Sequence, residues 1–347
     1  MWRYEPLRVA VIIGAGLVAA FTGTPILAQG IGQSMEDYLV RGETLLAQKR
    51  PNEAIVQFQE VRTLCPDPVQ MVTSLIGEAR ARLQLEELLP AAGLLEEAAD
   101  GHPDDPRVAD MLYMAGHARQ RSGDYPGAVR LLRRALEHDP PRDILPALKM
   151  RFAHSLRLTG EAAEAVSVLA DFETEFPSHP QIPNALYSLA IAQHDSGLLQ
   201  DSEATYRQII DRFPGASAAI EAHYEIGIVL GEEGKIDEAV QYFRDYVALE
   251  PNSPLAAKAL ESAADLLLFR SPQMSAQLYG LAASKAQTNP QPDVAAFGLG
   301  RWFDLKRTVA NTLARTWVMV LFALLLIGGM AAMAVLGRRR LRRRPAG

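Results

Sequence analysis

The chain has 347 residues, 48% of them hydrophobic, and a formal net charge of −6. Residues 1–28 carry +1 and residues 317–347 carry +6, which leaves −13 for residues 29–316. Nucleic-acid binding needs a basic surface, so the acidic middle of the chain excludes it as the main function.

The first 28 residues have the three parts of a secretory signal peptide. Arg3 and Arg8 form a basic start, 13 apolar or small residues follow in Val9–Phe21, and Ala28 ends a segment suited to cleavage. This apolar stretch is shorter than the roughly 20 residues that span a bilayer as a helix. We expect cleavage after Ala28, with an uncleaved anchor as the alternative, and both place the repeats across a membrane. Residues 29–34 would form a short polar leader.

A repeat of 37 residues occupies residues 35–287, and a fixed period of this size indicates a repeat array. Its markers include six prolines: Pro66, Pro103, Pro140, Pro177, Pro214 and Pro251. Small residues keep the same step: Gly42, Ala79, Gly116, Ala153, Ala190 and Gly227. So do large residues: Phe58, Leu95, Leu132, Leu169, Tyr206 and Phe243. A further column begins with two charged residues and continues with glycine: Lys49, Glu86, Gly123, Gly160, Gly197 and Gly234.

Each period is predicted to be a pair of antiparallel helices. In the repeat that ends at Pro251, Gly227 lies in an apolar first helix, Gly234 opens the turn, and Phe243 lies on the second helix. The small residue allows close approach, and the large residue fills the space beside it. One hairpin cannot bury its apolar face, so neighbours must stack. The pattern predicts an all-α solenoid of about seven hairpins, the last of which departs because Gly280 stands where the large residue is expected.

This pattern resembles the tetratricopeptide repeat. Two copies carry the resemblance best: Gly116, Gly123, Tyr125, Ala128, Leu132, Ala135 and Pro140, and Gly227, Gly234, Ala239, Phe243 and Pro251. The usual period is about 34 residues, so this chain is longer at each loop between repeats. The resemblance implies a right-handed solenoid. The longer loops, such as residues 176–178, are similar to those of bacterial cell-envelope members of the family, of the Tol-Pal-associated periplasmic protein and outer-membrane assembly lipoprotein types.

The resemblance also implies that the first helices line a concave groove for an extended or helical peptide. At the repeat position that matches the groove-lining position of the family, four successive repeats have Tyr113, Met150, Tyr187 and Tyr224, which would face inward. Basic residues accompany them in the third and fourth repeats: His117, Arg121, Arg151, His154 and Arg157. Because arginine binds carboxylates with two hydrogen bonds, a basic centre flanked by tyrosines favours a protein or peptide partner that bears a carboxylate. The alternative is that these tyrosines are packing residues and the arginines are solvated.

The C-terminal end predicts a membrane anchor. Residues 288–300 form a linker rich in proline and glycine, and in residues 301–316 Trp302, Leu305, Val309 and Leu313 recur at helical spacing. This amphipathic helix would lie on the outer membrane surface or extend the helix that follows. Residues 317–336 contain no charged residue, and this stretch of 20 residues is long enough to cross a membrane as a helix. Six arginines in the tail, residues 337–347, predict a cytoplasmic C-terminus that also contacts anionic lipid.

No catalytic or metal-binding motif is present in the sequence, so we expect neither enzymatic activity nor a cofactor. The prediction is a membrane-anchored scaffold that binds protein or peptide partners on the periplasmic side of a bacterial inner membrane, in envelope assembly or organisation. A fixed structural or assembly subunit of a membrane protein complex is the alternative, and an enzyme is a third.

Overall fold

A computed structural model describes residues 25–64, 67–288, 305–317 and 319 of the chain. Most of the expected signal peptide, most of the linker, and the expected membrane span and tail apart from Trp317 and Met319 lie outside the described residues. The predictions for those segments therefore stay predictions. The described residues fall into two compact units, one up to Val168 and one from Leu169 onwards.

The described secondary structure is entirely α-helical. The helices are α1 Pro25–Ala47, α2 Pro51–Thr63, α3 Pro68–Gln84, α4 Leu88–Gly101, α5 Val108–Arg121, α6 Tyr125–Glu137, α7 Leu145–Leu158, α8 Ala162–Leu169, α9 Phe172–Glu175, α10 Ile182–Asp195, α11 Leu199–Arg212, α12 Ser217–Glu232, α13 Ile236–Leu249, α14 Pro254–Leu267 and α15 Pro272–Thr288. Residues 305–317 are also helical and form α16. Seven hairpins follow one another in the order predicted, which confirms the all-α repeat fold. Its handedness stays a prediction.

The small and large columns pack against each other as the sequence predicts. A Cβ atom added to Gly116 on α5 would lie 2.7 Å from the Leu132 side chain on α6. In the second unit, a Cβ added to Gly227 on α12 would lie 2.8 Å from the ring of Phe243 on α13. Real Cβ atoms do not approach this closely, so a larger residue would force the two helices apart. Close approach explains why glycine lies inside these helices despite its poor helix propensity.

The fourth repeat column, from Lys49 to Gly234, lies in the turn between the two helices of each of the first six hairpins and adopts the left-handed backbone conformation. Its six members have positive φ values: Lys49 (57°), Glu86 (59°), Gly123 (83°), Gly160 (85°), Gly197 (76°) and Gly234 (78°). Glycine adopts this conformation freely, while other residues pay a steric cost. The first two hairpins therefore use the same turn as the later ones with less suitable residues.

The seventh hairpin corrects one expectation of the sequence. Tyr279, not residue 280, fills the place of the large residue and is fully buried. Ser275 Oγ donates to the Ala264 carbonyl at 2.7 Å, 11 residues away, whereas in the fifth hairpin Ser202 donates to Ala190 at 2.8 Å, 12 residues away. The shorter turn before Pro272 removes one residue, so the register of α15 shifts by one and the large residue appears at 279.

The two ends of the described chain extend the repeats. Helix α1 begins at Pro25, so the predicted leader, residues 29–34, is continuous with the first helix of the first repeat. At the other end, Lys306 Nζ on α16 donates to Glu261 Oε1 on α14 at 2.7 Å and to Asp265 Oδ2 at 3.0 Å. Leu305 and Val309 remain exposed. Among the described residues, no helix is long and apolar enough to cross a membrane.

Candidate protein-binding surfaces

In the first unit, the predicted basic residues gather on α5 and α7, the first helices of two successive hairpins. Arg151 Nε donates to the Tyr113 hydroxyl at 3.3 Å. The Tyr113 ring stacks on the His117 ring, with centroids 6.5 Å apart and 20° between the planes. Arg151 Nη1 also donates to Gln120 Oε1 at 3.2 Å. Tyr113, His117 and Arg151 therefore form one contiguous cluster, as the column argument placed them.

The charge of this cluster is smaller than the sequence suggests. Burial, and then the nearby Arg151 and Arg121, lower the pKa of His117 to about 4. Burial, Arg157 and Arg151 likewise lower the pKa of His154. Both imidazoles are thus neutral at pH 7, so the positive charge comes from the arginines alone. A partly desolvated imidazole beside guanidinium groups gives up its proton more readily.

The remaining predicted residues of the first unit have separate surroundings. Arg121 pairs with Glu86, whose side chain is largely exposed. The His154 ring packs edge-on to Tyr125, with centroids 6.4 Å apart. Met150 and Arg157 are half-buried on α7. An exposed ion pair such as that of Arg121 is worth little, so Arg121 remains able to exchange its carboxylate for one from a partner.

In the second unit, Tyr187 and Tyr224 border a pocket of about 280 Å³. Six of its lining residues define what we call the acidic tyrosine pocket: Tyr187, Glu221, Tyr224, Glu225, Tyr246 and Glu250. They come from α10, α12, α13 and the segment that joins α13 to α14. The predicted tyrosines of this unit thus lie among carboxylates, which corrects their assignment as flanks of a basic centre.

The Tyr224 hydroxyl is the unusual atom of this pocket. The residue is 5% exposed, and its hydroxyl makes no hydrogen bond within the described part of the chain. The other two tyrosines are satisfied: Tyr187 donates to Glu225 Oε1 at 3.5 Å, and Tyr246 bonds with Ser253 Oγ at 2.8 Å. A buried polar group without a partner is rare and points to a function.

The electrostatics of the pocket are governed by burial and by like charges. Burial raises the pKa of Glu225, and burial with the charge of Glu225 raises the pKa of Tyr224 to about 12. The same two causes raise the pKa of Tyr187. Within the described residues, Glu225 forms no ion pair, although His194 and Lys258 are near enough to lower its pKa partly. The pocket therefore holds carboxylates that no ion pair within the described residues neutralises.

The repeat columns do not predict the carboxylates beside Tyr187, because neighbouring first helices contact at an offset of one residue. Tyr187 contacts Glu225, 38 positions further on, and His194 contacts Glu232 at the same spacing. Arg151 and Tyr113 in the first unit are 38 apart as well. Pairing residues 38 apart in the sequence, rather than 37, would have placed Glu225 beside Tyr187.

Comparison with protein-family models identifies tetratricopeptide repeats at residues 150–217 and at residues 220–253. The chain therefore contains tetratricopeptide repeats, which confirms the family resemblance that its columns indicated. No curated protein gives a significant match. The likeness to bacterial envelope proteins stays a prediction.

Several solved structures of repeat proteins superpose on part of the chain. MamA has 18% sequence identity and a TM-score of 0.43, covering 50% of this chain and 95% of its own. YrrB, described as having an unusual peptide-binding site, has 17% identity and a TM-score of 0.44, covering 54% and 90%. A putative kinesin light chain from Podosopora anserina has 17% identity and a TM-score of 0.45, covering 54% and 100%.

No group of three or more histidine, cysteine, aspartate or glutamate side chains is placed to hold a metal ion in the part of the chain that the structure describes. The arrangement offers two polar, aromatic surfaces instead. One is weakly basic, on α5 and α7, and one is acidic, on α10, α12 and α13. Both are suited to binding side chains of another protein.

Proposed function

We propose that this protein is a membrane-anchored, non-enzymatic scaffold whose repeats bind protein or peptide partners on the periplasmic side of a bacterial inner membrane. The repeats themselves support the scaffold role, since stacked helical hairpins present extended binding surfaces. The anchor and its orientation are supported by the sequence, through the basic and apolar start, the uncharged stretch of residues 317–336, and the arginines behind it. Envelope assembly or organisation is the proposed process.

The observation that carries the binding proposal is the acidic tyrosine pocket with its unpartnered Tyr224 hydroxyl. Tyrosine side chains give large, rigid contact area and arginines give directed hydrogen bonds, and both are enriched where binding energy concentrates. Attachment to the bilayer would raise the effective concentration of a partner that is itself near the membrane.

Site-specific photo-crosslinking of the full chain in native membranes tests this proposal. A photoreactive residue is placed at Met150, at Glu221, or at the control position Asp100 on the second helix of a hairpin. We expect Met150 or Glu221 to crosslink one defined protein, and Asp100 to crosslink none. The Arg151→Glu, Tyr187→Ala double variant should lose the crosslink. Equal crosslinking from all three positions would contradict the scaffold assignment.

Protease digestion of spheroplasts tests the location separately. Protease added outside should degrade the repeats before the cells are lysed and leave a C-terminal epitope protected. Repeats that resist digestion until lysis would place them in the cytoplasm and refute the proposed orientation, whatever the crosslinking shows.

A fixed subunit of a membrane complex is the second candidate, and one observation favours it. Large apolar side chains are exposed between α14 and α15 and on α16: Phe269 (74%), Leu305 (55%), Val309 (45%) and Trp317 (53%). Exposed apolar surface of this kind marks interaction sites. A subunit should co-migrate with a stoichiometric complex on native gels, whereas a scaffold should migrate largely alone.

A further inference from the structure

We propose that the acidic tyrosine pocket binds the side chain of an arginine or lysine in a partner segment. This inference rests on the proposed scaffold function and names the chemistry of the segment bound by the second unit. The sequence predicts a partner that bears a carboxylate, whereas for the second unit this inference names a partner with a basic side chain.

The geometry of the pocket fits one long basic side chain. Its volume is about 280 Å³, at the lower end of ligand sites, which run from about 300 to 1,000 Å³. Tyr187 and Tyr224 lie on neighbouring first helices, and Tyr246 closes the pocket from the end of α13. Tyrosine rings pack against the aliphatic stem of such a side chain and attract its charge through their π-faces.

The charges of the pocket select a cation. Glu221, Glu225 and Glu250 lie on its wall, and none of them forms an ion pair within the described residues. The groups that lower the pKa of Glu225 by their charge are His194, which bonds with Glu232 at 3.0 Å, and the exposed Lys258. A guanidinium or ammonium group between the carboxylates would form charge-assisted hydrogen bonds with them.

The Tyr224 hydroxyl supplies the independent evidence for a ligand. Tyr224 lines the pocket and its hydroxyl is buried without a hydrogen-bond partner among the described residues, although the Ser262 hydroxyl is close enough to lower its pKa. The hydroxyl oxygen can accept a hydrogen bond from an N–H donor. A cationic nitrogen that also contacts Glu225 would satisfy an atom that the described protein leaves unsatisfied.

Fluorine NMR of the full chain in detergent micelles, labelled with 3-fluorotyrosine, tests the proposal. The probes are four capped pentapeptides, Gly-Ser-X-Ser-Gly, in which X is arginine, lysine, the neutral isostere citrulline, or glutamate. Tyr187→Phe and Tyr224→Phe variants assign the two resonances. We expect the arginine and lysine peptides to shift both resonances on titration, and the citrulline and glutamate peptides to leave them in place.

Two variants of equal charge separate the pocket from the general acidity of the chain. Glu225→Gln should weaken binding of the arginine peptide about tenfold, since a charge-assisted bond becomes neutral. Asp211→Asn removes the same charge from an exposed position on α11 outside the pocket and should change binding less than twofold. Glu250→Gln repeats the test with a second pocket carboxylate if Glu225→Gln disturbs the fold.

The proposal is overturned if the citrulline peptide binds as well as the arginine peptide, or if Glu225→Gln and Asp211→Asn weaken binding equally. These results are distinct from failure of the scaffold function. If a partner crosslinks through Met150 but the arginine peptide does not bind at Glu225, the scaffold proposal stands and the cation-pocket proposal fails. If the arginine peptide binds but no partner crosslinks, the cation-pocket proposal stands and the scaffold proposal fails.

Discussion

Glu78 forms a buried ion-pair cluster that links the first two hairpins. Its side chain is 2% exposed and accepts hydrogen bonds from Arg82 Nη2 at 2.6 Å and Gln59 Nε2 at 3.1 Å. Arg62 donates to its other oxygen. A Glu78→Gln variant keeps the size of the side chain but removes the charge that compensates two guanidinium groups.

The expected loss is about 3 kcal/mol, because removing one partner of a buried ion pair costs roughly 3–5 kcal/mol and glutamine still accepts one hydrogen bond. The matched control is Glu43→Gln. Glu43 pairs with Arg80 at 2.9 Å, but both side chains are about half exposed, and an exposed pair contributes about 0–1 kcal/mol.

Hydrogen exchange followed by mass spectrometry measures this difference locally. Repeat arrays unfold by segments, so peptides from α2 and α3 should exchange much faster in Glu78→Gln than in Glu43→Gln. Two variants that exchange alike in these peptides would refute the reasoning that burial decides the strength of the ion pair.

The pH dependence provides a second check on the same cluster. Burial alone would raise the pKa of Glu78, but the hydrogen bonds from Arg62 and Arg82 outweigh it and hold the pKa below its usual value. A carboxylate with a lowered pKa stabilises the fold above its unfolded pKa, and that contribution disappears as the pH falls through the folded pKa. The difference between wild type and Glu78→Gln should therefore be largest at neutral pH and shrink in acid.

Three further predictions concern packing, turns and the pocket. Gly227→Ala should cost about 1–3 kcal/mol by overpacking against Phe243, whereas Gly93→Ala, with nothing within 4 Å of the added Cβ, should stabilise its helix by about 0.5–1 kcal/mol; thermal unfolding compares them. Lys49→Gly should raise stability by about 0.5–1 kcal/mol because its φ is 57°, and an unchanged melting temperature would contradict this. Glu225→Gln should raise stability increasingly as the pH rises through the folded pKa, which burial has raised; urea titrations at several pH values check the sign.

Much of the fold could be predicted because its determinants are local or repeat at a fixed interval. The turn of each of the first six hairpins uses a left-handed residue, and glycine supplies it at a constant step in four of them. The Gly227 and Phe243 positions lie in one hairpin, so their partnership depends on a short stretch of chain. The 37-residue column does not predict the shift of the seventh large residue to Tyr279, because the turn before α15 is one residue shorter.

For the candidate sites too, the sequence determines some features and the tertiary structure decides others. The sequence by itself determined that the first helices carry Tyr113, Met150, Tyr187 and Tyr224 at one repeat position. Only the tertiary structure decided which charges surround them, because contacts between successive first helices follow a 38-residue offset and depend on how the helices pack. The neutral state of His117 and the raised pKa of Glu225 likewise arise from burial and from neighbours distant in the chain. Periodicity fixes where a side chain lies along a helix, while solvation and the charges across an interface exist only once the hairpins are stacked.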